Sequence, residues 1–572
     1  MAAASVSHPA TDKDLASIAE ARALARRAKA AQAVLGELSQ SQIDAIVDAM
    51  AAAVRPQAEP LARLAVEETG FGVVADKVQK NLFSAERVHA FIKPMKTVGV
   101  IARHESTKVV EIAEPFGVVA AIVPSTNPTS TAIYKILIAI KARCAIVISP
   151  HPSAARCIIR AAEIMADAAR SAGAPDGAIG WLSTVTLEGT QELMKAREIS
   201  VILATGGMGL VRAAYSAGKP AYGVGPGNAP CYVEASADLA KAAQDILAGK
   251  AFDNGVLCSS PNSVVVDQQV DEVLARHFQA HGGHFLSDAE AATLATALVT
   301  PQRLPNPALV GKSALHIAEA VGLKVPPATR ALLVRLRGVG RDFPLSIEKL
   351  SPVLSYYVVK DWREGCERCK EILRYGGMGH TMSIHSRNEQ VILEFGLHKP
   401  AYRICVNTPT THGSIGLTTG LDPAMTLGCG GFGGNITSDN ISPRHLLNIK
   451  RLAYELRPLA HAPASGADAL PADLRARVDQ YLQGRGFEPA PSTSASSPAR
   501  PASAALPTRP AAPSPPAVEK PSSFVCEDDV RQAVREGRTI LISDRTIVTP
   551  AARDLGEAQR VFRTAGVSAS AR

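Results

Sequence analysis

A cysteine placed just after a glycine turn can serve as a nucleophile, and Asn254-Gly255-Val256-Leu257-Cys258 has that layout. The turn follows an amphipathic helical stretch, which gives the thiol reach with little steric cover. The thiolate is the reactive form and a free cysteine titrates at about 8.5, so local activation is expected. Attack on a carbonyl leaves an oxygen that carries charge and needs donors. Asn127, in Pro124-Ser-Thr-Asn-Pro-Thr129, follows an apolar run and can offer its side-chain amide. The Cys258 backbone N–H would be the second donor. An Asn-Pro pair on its own is an ordinary turn signal. Thr205-Gly206-Gly207-Met208-Gly209 follows the apolar run Val201–Ala204 and opens a helical stretch. Backbone at a helix N-terminus is how a pyrophosphate is held. The run is not Gly-x-Gly-x-x-Gly, so by itself it is a weak signal. A second glycine turn, Gly223-Val-Gly-Pro-Gly-Asn228, lies some thirty residues before the cysteine.

Together and in this order, these segments resemble the aldehyde dehydrogenase superfamily over roughly residues 12 to 460. Most members hydrolyse a cysteine thioester with a glutamate in a Glu-Leu-Gly-Gly-Lys segment. Val224 stands at that position here, and valine cannot take a proton from water. The resemblance is therefore to the acylating branch, which passes the acyl group to coenzyme A. It implies a ping-pong reaction: an aldehyde and NAD give an acyl-Cys258 thioester and NADH, then CoA enters the same groove and takes the acyl group. Acetaldehyde, propanal, lactaldehyde and sulfoacetaldehyde all suit the branch.

The resemblance makes Cys258 and Asn127 catalytic. It assigns Ser149, His151, Thr205, Gly206, Gly207, Gly225 and Glu348 to cofactor binding, and it implies no metal. Ser149-Pro-His-Pro152 matches the segment that meets the adenosine ribose. Ser149 and Pro152 stand where hydrolytic relatives carry a lysine and an acid, so NAD follows from family habit and NADP stays open. Glu348 aligns with the glutamate that holds the nicotinamide ribose. Val406-Asn-Thr-Pro409 and Gly428, Gly430, Gly431, Gly433 and Gly434 resemble the acylating enzymes' later segments, read as loops at the substrate mouth and domain edge. His380 and His412 occur in segments the branch shares, and a structural role suits each as well as a catalytic one. Arg403 could meet an anionic substrate or anchor a loop. The rival readings are a hydrolytic enzyme with a different base, and an inactive scaffold acting through its C-terminal module.

The elements that would position these residues alternate. Asp14–Leu35 and Ser153–Ala172 carry apolar residues at helical spacing. Gly117–Val123, Ala145–Ile148, Val201–Ala204 and Ser263–Asp267 are buried-type strand runs. Such alternation predicts an α/β fold with parallel sheets covered on both faces. The resemblance makes it an aldehyde dehydrogenase-like fold: a Rossmann-type cofactor domain over 12–96 and 114–228, and an α/β catalytic domain over 229–435. Val98–His104 and Thr107–Ala113 read as a hairpin. Residues 97–113 and 436–459 would form oligomerisation elements, giving a homodimer or a dimer of dimers.

Composition narrows the class. The chain has 572 residues, 46% of them hydrophobic, and a formal net charge of +8. That charge is mild for this length and not gathered into a stripe, which argues against nucleic acid. No run of 18 apolar residues argues for a membrane span. Nine scattered cysteines give no disulfide framework and point to a reducing, cytoplasmic setting. Cys366-Glu-Arg-Cys369 has metal-pair spacing, but it lies in a stretch read as an exposed amphipathic helix and lacks a second pair.

Beyond residue 460 the pattern changes. Residues 470–486 read as a short amphipathic helix. Residues 489–523 are dominated by Pro, Ala and Ser and hold no aromatic residue, the composition of a disordered linker. Residues 524–572 return to structure: a helix over Asp528–Glu536, two β-type runs within Arg538–Val548, and a helix from Pro550 through Arg563. A segment this small is expected to complete its packing on a partner, as a docking module, or to fold back on its own enzyme; Pro471–Gln483 is a second candidate for the docking role. Acylating relatives are often cargo of bacterial microcompartments, so the resemblance extends to a shell protein as partner.

Overall fold

Five apolar runs pair in parallel to build the first sheet, in the spatial order Ile179–Trp181, Ile146–Pro150, Val118–Val123, Ile199–Thr205, Ala221–Val224. Every residue of the central strand, Val118–Val123, is buried, as an unbroken apolar run covered on both faces requires. The helix Lys13–Glu37 covers one face through small residues, Ala21, Ala25, Ala28 and Ala31, which let it approach closely. Asp12 caps that helix, accepting a hydrogen bond from Asp14 N at 2.9 Å.

Seven more strands form a second, all-parallel sheet in the order Gly283–Phe285, Ala331–Arg335, Val353–Val359, Pro261–Asp267, Ala229–Val233, Gly379–His385, Ala401–Val406. The chain crosses from one sheet to the other through the glycine turn, from Ala221–Val224 into Ala229–Val233. A third sheet is antiparallel. Gly99–His104 and Val109–Pro115 form the expected hairpin, with His104 opposite Val109, and Leu447–Ala453 adds to its free side. The second hairpin strand runs to Pro115, two residues past the expected end.

The computed structural model describes residues 12–457, 472–484, 522, 524–525, 527–543, 546–548 and 550–564. Apart from 522, the segment 489–523 expected as a linker lies outside them. The chain divides into two units, Met1–Leu459 and Ala460–Arg572. The second holds the helix Ala472–Gln483, within the expected 470–486, with Leu474 and Tyr481 exposed.

The other described residues of the second unit hold a pair of strand–helix–strand arches. Phe524–Val525 leads through Glu527–Glu536 to Ile540–Ile542, and Ile547–Val548 leads through Pro550–Ala558 to Phe562–Thr564. The first strands of the two arches pair in parallel, and so do the second strands. Gly537 and Arg560 end the two helices in matching left-handed conformations. This corrects the expectation of one helix through Arg563. It stops at Ala558, and Phe562 turns back into a strand opposite Ile540. The unit also buries a cluster of its own, Val525, Val530, Ala533, Ile540, Ala552 and Val561, so its packing does not wait wholly on a partner.

Candidate active site

Nine residues singled out by sequence line one cavity of about 440 Å³: Cys258, Asn127, Ser149, His151, Thr205, Gly206, Gly207, Gly225 and Glu348. It opens at the C-terminal ends of Val118–Val123, Ile146–Pro150 and Ile199–Thr205, where open parallel sheets place their ligand crevices.

Cys258 leaves a turn of unusual backbone. Asp253 (φ 48°), Asn254 (φ 54°) and Gly255 (φ 72°) are all left-handed. The strain at the two non-glycine residues is held by partners. Asp253 is fully buried, and its Oδ1 accepts from Val73 N at 2.7 Å. Asn254 Nδ2 donates to Gly311 O at 2.9 Å. Cys258 is half-buried, whereas every other described cysteine is buried. Desolvation pushes the Cys258 thiol up to about 12; Glu348 and Cys429 add to the rise and Arg403 opposes it. Burial thus favours the protonated thiol.

Asn127 sits at the N-cap of the helix Pro128–Lys141, yet its side chain makes no capping hydrogen bond. Its Oδ1 instead accepts from Lys80 Nζ at 2.7 Å, and Nδ2 donates to Thr126 Oγ1 at 3.2 Å. A capping asparagine normally spends its oxygen on the helix. This one is diverted to the buried Lys80 ammonium.

Three features fit a dinucleotide. Thr205 Oγ1 is buried without a partner, at the end of its strand. Gly207 caps the helix Met208–Tyr215 with open space where a Cβ would project. Ser149 Oγ meets Thr190 Oγ1 at 2.7 Å, and Thr190 Oγ1 in turn meets Thr186 O at 2.8 Å. With Thr190 donating to that carbonyl, Ser149 is the donor to Thr190 and keeps its lone pairs for a ribose hydroxyl. His151 Nδ1 accepts from Ser153 N at 3.2 Å, and burial lowers its pKa.

Glu348 is the one carboxylate among the cavity's lining residues. Its Oε1 accepts from Gly227 N at 3.0 Å, and Asn228 Nδ2 donates to Ser346 O at 2.8 Å. The glycine turn thus clamps the loop that presents Glu348. Burial pushes this carboxyl up to about 8, against the pull of Lys250 and Lys349. Val224 lines the cavity and is 2% exposed. Its position offers water no base.

Other residues fall outside the cavity. Arg403 is buried and donates to Ser438 O at 2.9 Å and to Gly428 O, so it anchors the 428–440 loop rather than meeting substrate. Gly428, Gly430, Gly431, Gly433 and Gly434 do not line the cavity; the loop packs where a Cβ on Gly379 would strike Cys429 O. His380 is buried and held near a pKa of about 3 by desolvation and Arg403, with Nδ1 against Thr381 Oγ1 at 2.9 Å. His412 packs edge-on to Phe252. Cys366 and Cys369 correct the exposed reading of their helix: both lie on its buried face, and Lys399 Nζ contacts Cys366 Sγ. No group of three His, Cys, Asp or Glu among the described residues could hold a metal ion, and no described helix is long and apolar enough to cross a membrane.

The groups that sequence reasoning missed are Lys77, Lys80 and Asp253. Lys77 and Lys80 lie one turn apart on the helix Val74–Leu82, both buried, and both meet the Asp253 carboxylate. Three charges in a nine-residue helix were the only local sign.

Residues 2–305 match the aldehyde dehydrogenase family. The bifunctional aldehyde-alcohol dehydrogenase of Escherichia coli is 42% identical over 441 residues, covering 76% of this chain and 49% of that protein. The chain thus spans about half the length of that relative. The acylating sulfoacetaldehyde dehydrogenase of Cupriavidus necator is 38% identical over 463 residues, covering 80% of this chain and 92% of its own. The crystal structure of an acetylating aldehyde dehydrogenase from Geobacillus thermoglucosidasius superposes with a TM-score of 0.77 at 50% identity, covering 79% of this chain and 99% of that one. With the thiol, the amide and the glycine turns gathered at one cavity, these likenesses agree: the chain belongs to the aldehyde dehydrogenase family.

Proposed function

We propose that this protein oxidises a short-chain aldehyde to its acyl-CoA through a thioester on Cys258. The observation that carries the reading is Val224, an apolar wall where hydrolysis needs a base, beside the half-buried Cys258. A nicotinamide cofactor would supply the hydride acceptor; the Thr205–Gly207 turn and Ser149 would hold it, with Glu348 near the thiol. Cys258 passes its thiol proton to water and attacks the carbonyl carbon, its own N–H and Asn127 Nδ2 supporting the oxyanion, and loss of hydride to the nicotinamide would turn this adduct into the thioester. Water finds no activating base at Val224, so the thioester waits for a better nucleophile, the CoA thiolate. No acid lines the Ser149–His151 end of the cavity to repel a 2′-phosphate, which leaves both NAD and NADP compatible.

The five-stranded half serves the cofactor and the seven-stranded half the nucleophile. The antiparallel sheet of Gly99–His104, Val109–Pro115 and Leu447–Ala453 is the joining element of a homo-oligomer. The second unit, with Phe524 and Ile547 exposed side by side on paired strands, is the docking element for a shell-like partner.

A panel of aldehydes tests this, with reduced cofactor followed by absorbance and acyl-CoA by mass spectrometry. Without CoA, we expect a burst of about one reduced cofactor per site and then arrest. Full steady turnover in CoA-free buffer would overturn the acylating reading. Glu348→Gln would then have to abolish that turnover, since no other lining carboxylate could activate water.

Asn127→Ala is expected to slow the burst roughly 10²- to 10³-fold, the cost of one oxyanion donor. Stopped-flow absorbance measures it. A change confined to KM would make Asn127 a turn residue only.

A further inference from the structure

We propose that Lys80 is a positioning residue that couples the two catalytic groups, orienting the Asn127 amide while pinning the turn that carries Cys258. The inference rests on Asn127 acting as the oxyanion donor.

Lys80 Nζ stands between two acceptors from distant parts of the chain. One is Asn127 Oδ1, at 2.7 Å. The other is Asp253 Oδ2, five residues before the nucleophile. An amide can sit in either of two flipped orientations. A cation against the oxygen selects the one that leaves Nδ2 to donate. Only that orientation can stabilise an oxyanion; the flipped amide would present a lone pair to it. Nδ2 has one weak neighbour, Thr126 Oγ1 at 3.2 Å.

The second contact acts on the nucleophile. Asp253 is left-handed and fully buried, and its carboxylate accepts from Val73 N, Lys77 Nζ (3.0 Å) and Lys80 Nζ. Its own N–H donates to Asp76 Oδ2 at 2.7 Å. A Cβ on Gly72 would lie 1.9 Å from Asp253 Oδ1, so the chain leaves that space for the carboxylate. The helix Val74–Leu82 thus grips the turn ahead of Cys258, and Lys80 extends the grip to Asn127.

The charged groups facing Lys80 are Asp253, Lys77 and Asp76. Desolvation lowers its pKa to about 8, with Asp253 pulling the other way, so the ammonium form prevails at neutral pH. Lys77 shares the carboxylate, but its further contact is Thr126 O at 3.4 Å, not the amide. Lys80 alone of the pair reaches Asn127.

The test is a double-mutant cycle between positions 80 and 127. The readout is the burst rate constant with acetaldehyde and the better of NAD and NADP, CoA absent. Lys80→Met in the otherwise native protein should slow the burst roughly 10- to 100-fold, the scale of one charge-assisted hydrogen bond. The KM for cofactor should stay within about threefold. In the Asn127→Ala background the same change should cost clearly less, because the amide it orients is gone and only its hold on the Asp253 turn remains. Equal slowing in both backgrounds overturns the inference and makes Lys80 structural. If Asn127→Ala alone leaves the burst unchanged, the oxyanion reading fails first, a separate outcome. Where Lys80→Met does not fold, the cycle on Lys80→Gln decides by the same criterion.

Discussion

Cys258→Ala abolishes both the burst of reduced cofactor and steady turnover, a loss of at least roughly 10⁴-fold when the nucleophile itself is removed. Cys366→Ala and Cys369→Ala keep both within a few-fold. The asymmetry follows from placement. Cys258 alone of the described cysteines lines the cavity, while Cys366 and Cys369 face the packed side of their helix. Burst amplitude per active site is the measurement. Residual bursting in Cys258→Ala would move the nucleophile elsewhere.

Gly227→Ala is also expected to be damaging, for steric reasons alone. A Cβ there would lie 2.1 Å from Cys258 O, 3.1 Å from its carbonyl carbon and 3.3 Å from His380 Cγ. The first two are backbone atoms and cannot rotate away, so the nucleophile turn must shift. A displacement near 1 Å costs on the order of 10²-fold in rate. Forced repacking should cost roughly 1–3 kcal/mol of stability. Gly209→Ala, where a Cβ meets nothing within 4 Å, should stay within a few-fold on both counts. Steady-state kinetics and thermal melts compare the two. Native activity in Gly227→Ala would mean that the turn has slack the structure does not show.

Four strands of the two parallel sheets were legible because unbroken apolar runs such as Val118–Val123 are short and bounded by turn signals. The site residues were legible where a backbone need leaves a mark in composition, as in the glycine turns around Thr205 and Gly225. Two things were not. Arg560 ends its helix in a left-handed conformation that glycine usually signals, so the helix was expected to continue to Arg563. Lys80 meets Asp253 across a separation of 173 residues, and nothing local to either announces the other. Buried ion clusters are tertiary facts, and neither spacing nor periodicity encodes them.

The raised Cys258 thiol has a further consequence for how the protein ages. Peroxide and alkylating agents attack the thiolate, and susceptibility follows thiolate character. Desolvation above all keeps the resting sulfur protonated, although Cys258 lines a cavity. The same burial that makes the nucleophile slow to ionise also gives the idle protein chemical durability. Its hazard lies in the moments when a bound molecule draws the proton away, so oxidative damage should accumulate with use rather than with time.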